Sequence, residues 1–520
     1  MAAPATATLG FVGDSGPQAT RPSNADHAAG VSVPGPTTSV TDRPLPYLLL
    51  AGAAALLVPI RAATGPIRDI DVYWHLLVGR EILSGIPVSA AGRGWSFAPV
   101  PDTWVSTQWL AEALLARIEL WGGLDALIVY RVVTASVALG VLAAVTLVHR
   151  PVRAGAWVFA FAAAQLSIVV QERSQMLTFI LAPLVGRWCD RVLREGRLPR
   201  WWVVLPLVIV WSNFHGGWVL LPLFLGVTAV ARLIDRGWRD PVPYRALALS
   251  GLSVAAACVS PSGVGNAVAA ARFSQATAIV GEWQPVRLWD GQALPFAVVI
   301  LIVVLAWTFG RVRPTRGEAV LAVSLMVFGV MAWRNVTPAT LILAPIATGI
   351  LARALGETDP RPAGARPALR RTAVALALAG AVAGLVLAGR QSPIVPDDGA
   401  LRLLATIKAV PTQQRVLDSY NLSGALLWFG GPPPHVVVGI DGRADRYGSD
   451  YALAYQDGLI GARPGWEKLF DQLRPTCALL YDTEALSSVL VTERHWVEVG
   501  RAGHVVLLRA PDATGWPAHP

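Results

Sequence analysis

Long apolar runs separated by short polar segments fill most of the chain. Because a membrane-spanning helix needs roughly 17 to 25 apolar residues, the pattern predicts an α-helical polytopic membrane domain over residues 45–389. Its first outer loop, residues 63–123, is long enough to hold two interfacial helices, over 71–83 and 102–120. The predicted spans number about eleven and lie near residues 45–62, 124–147, 155–171, 174–192, 201–214, 217–234, 245–260, 293–310, 318–333, 336–353 and 371–389.

The two ends of the chain differ from this apolar region. Residues 1–44 are rich in Pro, Gly, Ser, Thr and Ala, and such a segment buries too little surface to offset chain entropy, so we expect a disordered tail. The run that follows also fits a signal peptide, but its long lead-in favours a retained first span. Residues 390–520 alternate strand patterns such as HVVLLRA with amphipathic helix patterns such as GWEKLFDQL. They predict a small α/β domain.

Nearly all of the clustered arginine lies in alternate loops of the predicted path. Arginine in short loops marks the cytoplasmic side of a membrane protein. We therefore expect a multi-pass protein of the plasma (inner) membrane, with a cytoplasmic N-terminus and an extracytoplasmic C-terminal α/β domain. The arginine-rich loops are residues 149–153, 187–200, 232–245, 311–316 and 361–371.

Composition agrees with a membrane protein. The 520 residues are 54% hydrophobic and 15% charged, with a mean hydropathy of +0.49, which is too apolar for a soluble globular domain. The net charge of +9 is explained by arginines that set membrane orientation, so nucleic acid is excluded as a partner. Cys189, Cys258 and Cys477 have no paired spacing, which argues against a disulfide framework and a zinc site.

Each outer turn of the predicted path carries a polar cluster. Ionisable residues near membrane depth are costly, so their first interpretation is a functional one. Because the clusters gather on one leaflet, they predict a single outward-facing site at the membrane surface. In chain order the clusters contain Asp69, Asp71 and His75; Glu172 and Arg173; Asn213 and His215; Glu282, Trp283, Arg287 and Asp290; and Arg334 and Asn335.

The acidic motif of the first loop, RDIDVYWHLLVGREIL, is the strongest candidate for chemistry. A helix from residue 71 places Asp71, Trp74 and His75 on one face. A carboxylate and an imidazole one turn apart can bind a metal, orient one another or share a proton. The alternative is structural, with Asp69 as the helix N-cap and Asp71 beside the positive end of the helix dipole.

Arginines near the outer leaflet are natural partners of a lipid phosphate, because a guanidinium matches phosphate oxygens bidentately. Each of them could instead pair with an intramembrane carboxylate such as Glu172 or Glu282, and the sequence leaves both possibilities open. His215 likewise fits either a substrate contact or a packed turn. The candidate arginines are Arg131, Arg173 and Arg334.

The motifs DIDVYWHLLVGREIL, WLAEALL, ERSQM, WSNFHGGW, GEWQP and WRN follow in an order and sidedness that resembles a bacterial membrane-protein family related to the C-type (GT-C) glycosyltransferases. The resemblance covers about residues 45–354, and YNLSGALLWFG to VVVGIDGRADRYG resembles the outer C-terminal domain of such proteins. It implies transfer of a sugar from a polyprenyl-phosphate donor to a glycan, lipid or protein acceptor of the cell envelope, at the outer face and with inversion at the anomeric carbon.

The resemblance also suggests roles for residues. In such a mechanism a carboxylate deprotonates the acceptor hydroxyl and cations stabilise the departing phosphate. Asp69 or Asp71 matches the acidic position, and Asp71 is favoured as the base because its helix face carries Trp74 and His75. A divalent metal ion on Asp69, Asp71 and His75 stays an open alternative, since related enzymes work with and without one. Residues facing donor or acceptor would be Trp74, Arg131, Glu172, Arg173, Asn213, His215, Glu282, Trp283, Arg334 and Asn335.

Two functions from other classes stay open. A transporter of lipid-linked saccharides would show repeated halves, broken helices and charges near the bilayer midplane, whereas here no convincing repeat is found and the charges concentrate outside. A non-catalytic envelope-assembly protein also fits. In the outer domain, Asp441, Arg443 and Asp445 follow a predicted strand, where α/β sheets present ligands; alternatively they form an internal salt-bridged loop.

Overall fold

A computed structural model describes residues 45–67, 69–101, 104–148, 151–272, 281–310, 312–357, 365–389, 398–430 and 435–516. The predicted disordered tail, residues 1–44, lies outside these ranges, as do residues 149–150, 311 and 361–364 of the arginine-rich loops. Residues Pro44–Pro520 form one compact unit.

Helices occupy all eleven positions at which the apolar pattern predicts a span. Two more, α2 and α3, lie in the first loop, and α10 follows α9. The bounds are α1 Leu45–Ala63, α2 Val72–Leu83, α3 Trp109–Gly122, α4 Asp125–Ala143, α5 Val152–Ile168, α6 Met176–Glu195, α7 Trp201–Phe214, α8 Leu220–Arg236, α9 Val242–Ala257, α10 Val264–Arg272, α11 Leu294–Phe309, α12 Arg316–Met331, α13 Trp333–Ala354 and α14 Ala365–Ala388.

Four helical segments are long and apolar enough to cross a membrane by length and composition: Leu45–Ala63, Asp125–Val148, Gly216–Arg236 and Trp333–Ala354. The chain also has shorter apolar helices of 10–17 residues, such as α5 and α11. A count of about eleven spans therefore stays a prediction, although the helices themselves are present.

The polar clusters and the arginine-rich loops lie at opposite ends of the helices. At the end remote from the polar clusters, Arg194 contacts Glu318 at 3.1 Å and Arg353 contacts the same carboxylate at 2.6 Å. These residues end α6 and α13 and begin α12, as alternation of the loops requires. Which of the two ends faces the cell exterior stays a prediction.

The first loop folds into a helix pair. The close approach of α2 and α3 needs Gly79, because a methyl group there would collide with the carbonyl of Glu112. The bounds predicted for α2 are confirmed, whereas α3 begins at Trp109, later than predicted. Residues 104–106 are not helical, and β-branched side chains such as that of Val105 favour extended backbone.

The last part of the chain builds a five-stranded sheet of order β2-β1-β3-β5-β4, in which β2, β1 and β3 are parallel and β5 is antiparallel to its two neighbours. The segments RVLDSY, HVVVGID, TCALLYD and HVVLLRA, whose patterns predict strands, contain most or all of β1, β2, β3 and β5, which confirms those four predictions. Strand β4 was not predicted, because it lies at an edge and much of it is exposed, so no apolar alternation marks it. The elements are α15 Asp398–Lys408, β1 Gln414–Asp418, α16 Ser423–Phe429, β2 Val436–Val438, α17 Ala444–Leu453, α18 Trp466–Leu473, β3 Cys477–Tyr481, α19 Ala485–Thr492, β4 Val497–Ala502 and β5 Val505–Arg509.

The sheet is fused to the first loop. The Val438 N–H donates to the Trp95 carbonyl at 3.0 Å, and the Phe97 N–H donates to the Val438 carbonyl at 3.1 Å. Side chains of the loop, including those of Trp74 and Trp95, share one apolar core with the sheet. The loop and the C-terminal domain therefore behave as one folded body.

A buried ion pair fastens this junction. Both Arg443 and Asp441 have fully buried side chains, and the Arg443 Nη2 lies 2.6 Å from the Asp441 Oδ2. Arg443 also donates to the Gly92 carbonyl at 2.7 Å, and its guanidinium lies 4.9 Å from the ring centre of Trp95. The Arg443 charge lowers the pKa of Asp441 against the effect of its burial. The motif GIDGRADRYG thus forms the salt-bridged loop that was one of its two interpretations.

Replacing Arg443 with Met should destabilise this junction strongly. The change leaves the Asp441 carboxylate buried without its counter-charge, which costs about 3–5 kcal/mol. We expect a clear drop in the thermal unfolding temperature of the full chain in detergent. Arg501→Met is the matched control, because Arg501 is 48% exposed in its pair with Asp482 and should melt like the wild type. Equal melting of R443M and wild type would contradict the assigned role.

Candidate functional site

The centre of the site is the guanidinium of Arg173. Its Nε lies 2.8 Å from the Asp69 Oδ2, its Nη1 lies 3.0 Å from the Glu282 Oε1, and its Nη2 contacts the Asp71 Oδ2. Three carboxylates from two distant segments therefore share one cation, and their charges raise the pKa of Arg173 despite burial.

The two aspartates of the first loop have different environments. The Asp69 side chain is 2% exposed, and its Oδ1 accepts the backbone N–H of Asp71 at 3.1 Å. The Asp71 side chain is 21% exposed, and its Oδ1 accepts the indole N–H of Trp74 at 3.2 Å. Burial raises the pKa of Asp69 to about 7, although Arg173 opposes this shift. Only Asp71 of the two is open to an incoming substrate.

His75 is held by a partner outside this cluster. Its Nδ1 lies 3.1 Å from the Glu112 Oε1 of α3, and both side chains are buried. The imidazole also lies against the Trp74 ring, at 3.6 Å between centroids and with the two planes tilted by 33°. Glu112 is thus the pairing side chain of His75. His75 supports Trp74 from behind, and Trp74 in turn binds Asp71.

His215 lies close to the same cluster. Its Nδ1 accepts the Gly217 N–H at 3.0 Å and lies 2.8 Å from the Thr178 Oγ1. Desolvation, followed by the charges of Arg334 and Arg173, lowers the pKa of His215 to about 3. The imidazole is therefore neutral, and it can offer a substrate a hydrogen bond but no positive charge.

Arg334 and Trp283 form the far side of the cluster. The Arg334 guanidinium lies 4.3 Å from the ring centre of Trp283, a cation–π geometry that holds the flat cation in one plane. Trp283 follows Glu282 directly, so the same short segment binds Arg173 and orients Arg334. A guanidinium carries its N–H donors in a planar fork that matches an anionic oxygen.

Arg131 and Glu172 lie below this cluster and pair with each other. The Arg131 Nη1 is 2.5 Å from the Glu172 Oε1, and neither side chain is exposed. Arg131 also donates to the carbonyls of Ala62, Gly65 and Pro66 at 2.5, 3.0 and 2.9 Å. These contacts follow the predicted pairing alternative, and a phosphate contact would require their rearrangement.

Two candidate amides bond to the protein itself. The Asn213 Nδ2 donates to the carbonyls of Ile209 and Val259, both at 2.8 Å, and its Oδ1 accepts the Trp109 N–H at 2.6 Å. The Asn335 Nδ2 donates to the Phe328 carbonyl at 3.0 Å. Both side chains tie helix ends together around the site.

The C-terminal domain contributes Tyr420, which the sequence did not single out, and Asp445, which it did. Burial, and then the charges of Asp71 and Asp441, raise the pKa of Tyr420, so its phenol borders the acidic motif. Trp104 donates to the Asp445 Oδ1 at 3.0 Å across the same junction. The sequence signal for Tyr420 was the resemblance of the YNLSGALLWFG segment to an outer domain.

A divalent metal does not fit the predicted donors as they stand. Asp69 and Asp71 both face the Arg173 guanidinium, so a cation already occupies the place between them, and the His75 Nδ1 is bound to Glu112. Across the described ranges, no group of three or more His, Cys, Asp or Glu residues could hold a metal ion.

Three solved structures have a similar chain path. They are ArnT from Cupriavidus metallidurans in the apo state (16% identity, 89% of this chain and 98% of that chain, TM-score 0.48), the oligosaccharyltransferase AglB from Archaeoglobus fulgidus with an inhibitory peptide and a dolichol-phosphate (13%, 84% and 69%, 0.43), and the arabinofuranosyltransferase AftD from Mycobacteria (15%, 90% and 40%, 0.45).

All three are GT-C glycosyltransferases. This is the superfamily that the sequence motifs of this chain resemble. The likeness concerns the fold alone. No protein-family model matches the chain, and no curated protein sequence does.

Glu172→Gln tests whether the buried Arg131–Glu172 pair is a structural ion pair or a substrate contact. If Glu172 neutralises Arg131, the variant leaves a buried cation without its counter-charge, at a cost of about 3–5 kcal/mol. We expect low membrane abundance and a lowered unfolding temperature in detergent. The control Glu282→Gln changes a carboxylate that is 49% exposed and should fold normally. A stable E172Q protein would favour the substrate-contact interpretation.

Proposed function

We propose that this chain is an inverting membrane glycosyltransferase. It moves a sugar from a polyprenyl-phosphate-linked donor to a glycan, lipid or protein acceptor of the cell envelope, at the outer face of the plasma (inner) membrane. Asp71 is the base, and Arg334 and His215 face the donor.

One observation carries the proposal. Polar residues more than 200 positions apart in the chain, from Asp69 to Glu282, meet around Arg173 at the helix ends that face the first loop. Removing ionisable groups from water costs free energy, and proteins gather such groups in one place mainly where they act on a ligand. The cluster combines a reachable carboxylate, a guanidinium beside a tryptophan ring and a neutral imidazole. These groups can accept a proton and stabilise a departing phosphate.

Asp71 has the geometry that the first step needs. Its Oδ1 is aligned by the Trp74 indole and its Oδ2 by Arg173, so the carboxylate is held for an incoming hydroxyl. It removes the proton of that hydroxyl as the acceptor oxygen attacks the anomeric carbon. The carbon–oxygen bond to the phosphate breaks on the opposite side, which inverts the configuration.

The departing polyprenyl phosphate takes up the electron pair of the broken bond. Arg334 is a suitable partner for this growing negative charge, because its contact with Trp283 holds the cation in place beforehand. His215 stays neutral and can donate a hydrogen bond to a phosphate or sugar oxygen. Arg173 already shares its charge among three carboxylates, so its main role is to hold the base.

Asp71→Asn should abolish transfer without unfolding the chain. The amide has the shape of the carboxylate but accepts no proton, so the rate should fall by a factor of about 100 to 10,000. The measurement is complementation of a deletion strain, read out as envelope glycan composition and as accumulated polyprenyl-linked sugars. D71N should behave like the deletion although its abundance equals that of the wild type.

Asp471→Asn is the matched control, since this carboxylate is 61% exposed on the outer domain and pairs only loosely with Arg494. It should complement fully. A non-catalytic assembly protein would tolerate D71N, so full complementation by D71N sinks the catalytic proposal. No change in glycan or lipid-linked sugar in the deletion strain would do the same.

The rate should also depend on pH through Asp69. Its pKa is raised to about 7, so below that pH Asp69 becomes neutral and no longer attracts Arg173. We expect the initial rate to fall as the pH drops below about 7, by up to about tenfold per unit. The substrate is the lipid extract of the deletion strain. Asp69→Asn mimics the neutral form, so its rate should be low at every pH and should no longer fall below pH 7. The control E282Q should still show the fall in rate below pH 7. The same fall in D69N as in the wild type would refute the assignment to Asp69.

A further inference from the structure

Two glycines of the C-terminal domain press against the acidic motif of the first loop. They are Gly424 in α16 and Gly442 in the loop that follows β2. Neither has room for a side chain, and in both cases the atoms in the way belong to residues 70–74. The acidic motif is therefore enclosed by Arg173 and by this domain.

The contact of Gly442 is the more informative one. A methyl group at this position would overlap the Asp71 Oδ1 and the Trp74 Nε1. These are the two atoms that form the hydrogen bond orienting the base. The backbone of Gly442 thus lies directly on that hydrogen bond and limits where the Asp71 carboxylate can sit.

Gly424 supports the same segment from the backbone side. A methyl group there would lie 2.7 Å from the Ile70 carbonyl oxygen, between the two aspartates of the motif, and 3.7 Å from the Trp74 Cδ1. The two glycines together fix both the backbone and the side-chain position of the motif.

The loop that carries Gly442 is rigid. On one side of it Asp441 pairs with Arg443 at 2.6 Å, and the Tyr447 hydroxyl donates to the same carboxylate at 2.7 Å. Arg443 is bonded to the first loop through the Gly92 carbonyl. A loop fixed at both neighbours of Gly442 cannot yield easily, so an added methyl group must displace Asp71 and Trp74.

We infer that the C-terminal domain completes the catalytic site, with Gly442 as a positioning residue for the base Asp71. This inference rests on the proposed function. It makes the outer domain part of the transfer machinery, in addition to any part it has in acceptor recognition.

Gly442→Ala tests the inference. Displacing the base by about 1 Å should lower kcat by about 100-fold with little change in KM for the donor. The assay uses the lipid extract of the deletion strain, and folding is followed by membrane abundance and thermal unfolding. Gly458→Ala is the matched control, because a methyl group there meets no atom within 4 Å, and its kcat should equal that of the wild type.

A second variant separates positioning from general damage. Trp74→Phe removes the Nε1 that the new methyl group meets, so Gly442→Ala should cost less kcat in the W74F background than in the wild type. If G442A alone fails to fold, W74F should restore its folding. A folded G442A protein with wild-type kcat overturns the inference. Equal losses of kcat on adding G442A to the wild type and to W74F also overturn it. So does an unfolded G442A protein whose folding W74F does not restore.

A readout independent of activity separates failure of this inference from failure of the proposed function. Labelling of Asp71 by a water-soluble carbodiimide, followed by mass spectrometry, should rise in G442A and stay at the wild-type level in G458A. Absent transfer by the wild type would refute the proposed function while this measurement still decides the contact. Unchanged labelling in G442A would refute the positioning of Asp71 by Gly442.

Discussion

One guanidinium shared by three carboxylates is the constraint on which the site depends. Asp69 and Asp71 are two residues apart and would repel each other at the edge of a low-dielectric helix bundle. Arg173 offsets that repulsion and also binds Glu282, more than 100 residues further along the chain. Without this cation, at least one aspartate would take up a proton and the other would lose its fixed orientation. The position of the acidic motif therefore depends on the charge of Arg173.

The neighbouring residue secures the same region from inside. Glu172 points into the helix bundle and neutralises Arg131, whose remaining donors hold the carbonyls of Ala62, Gly65 and Pro66 where α1 ends. Arg173 points the other way and holds the aspartates that follow this segment. Two adjacent side chains of opposite charge thus clamp the connection between α1 and α2 from two directions, so the base is built on a fixed backbone.

Much of this arrangement could be predicted from sequence, because long apolar runs specify helices and arginine-rich loops mark one end of them. The residues that gather at the other end follow from the same alternation. Partner choice could not be predicted: Arg131 suits a phosphate as well as a carboxylate, and only its contacts with Glu172 distinguish the two. Gly442 was missed because the role of a glycine depends on what approaches it, which no local pattern records. Strand β4 was missed because many of its residues are exposed, so its sequence shows no alternation of apolar and polar residues.

The contrast between the two aspartates explains how one motif can supply both a base and its support. A carboxyl group with a pKa near 7, as in Asp69, would be a well-matched proton acceptor, but a buried group cannot reach a hydroxyl, and geometry takes precedence over pKa. Asp71 is reachable and lies between Arg173, Trp74 and Gly442. The buried aspartate then acts through Arg173, because its ionisation strengthens the hold on the cation that orients Asp71. Burial prevents Asp69 from acting as the base. The same burial raises its pKa to about 7, so a change of pH near neutrality alters its charge and, through Arg173, the orientation of Asp71.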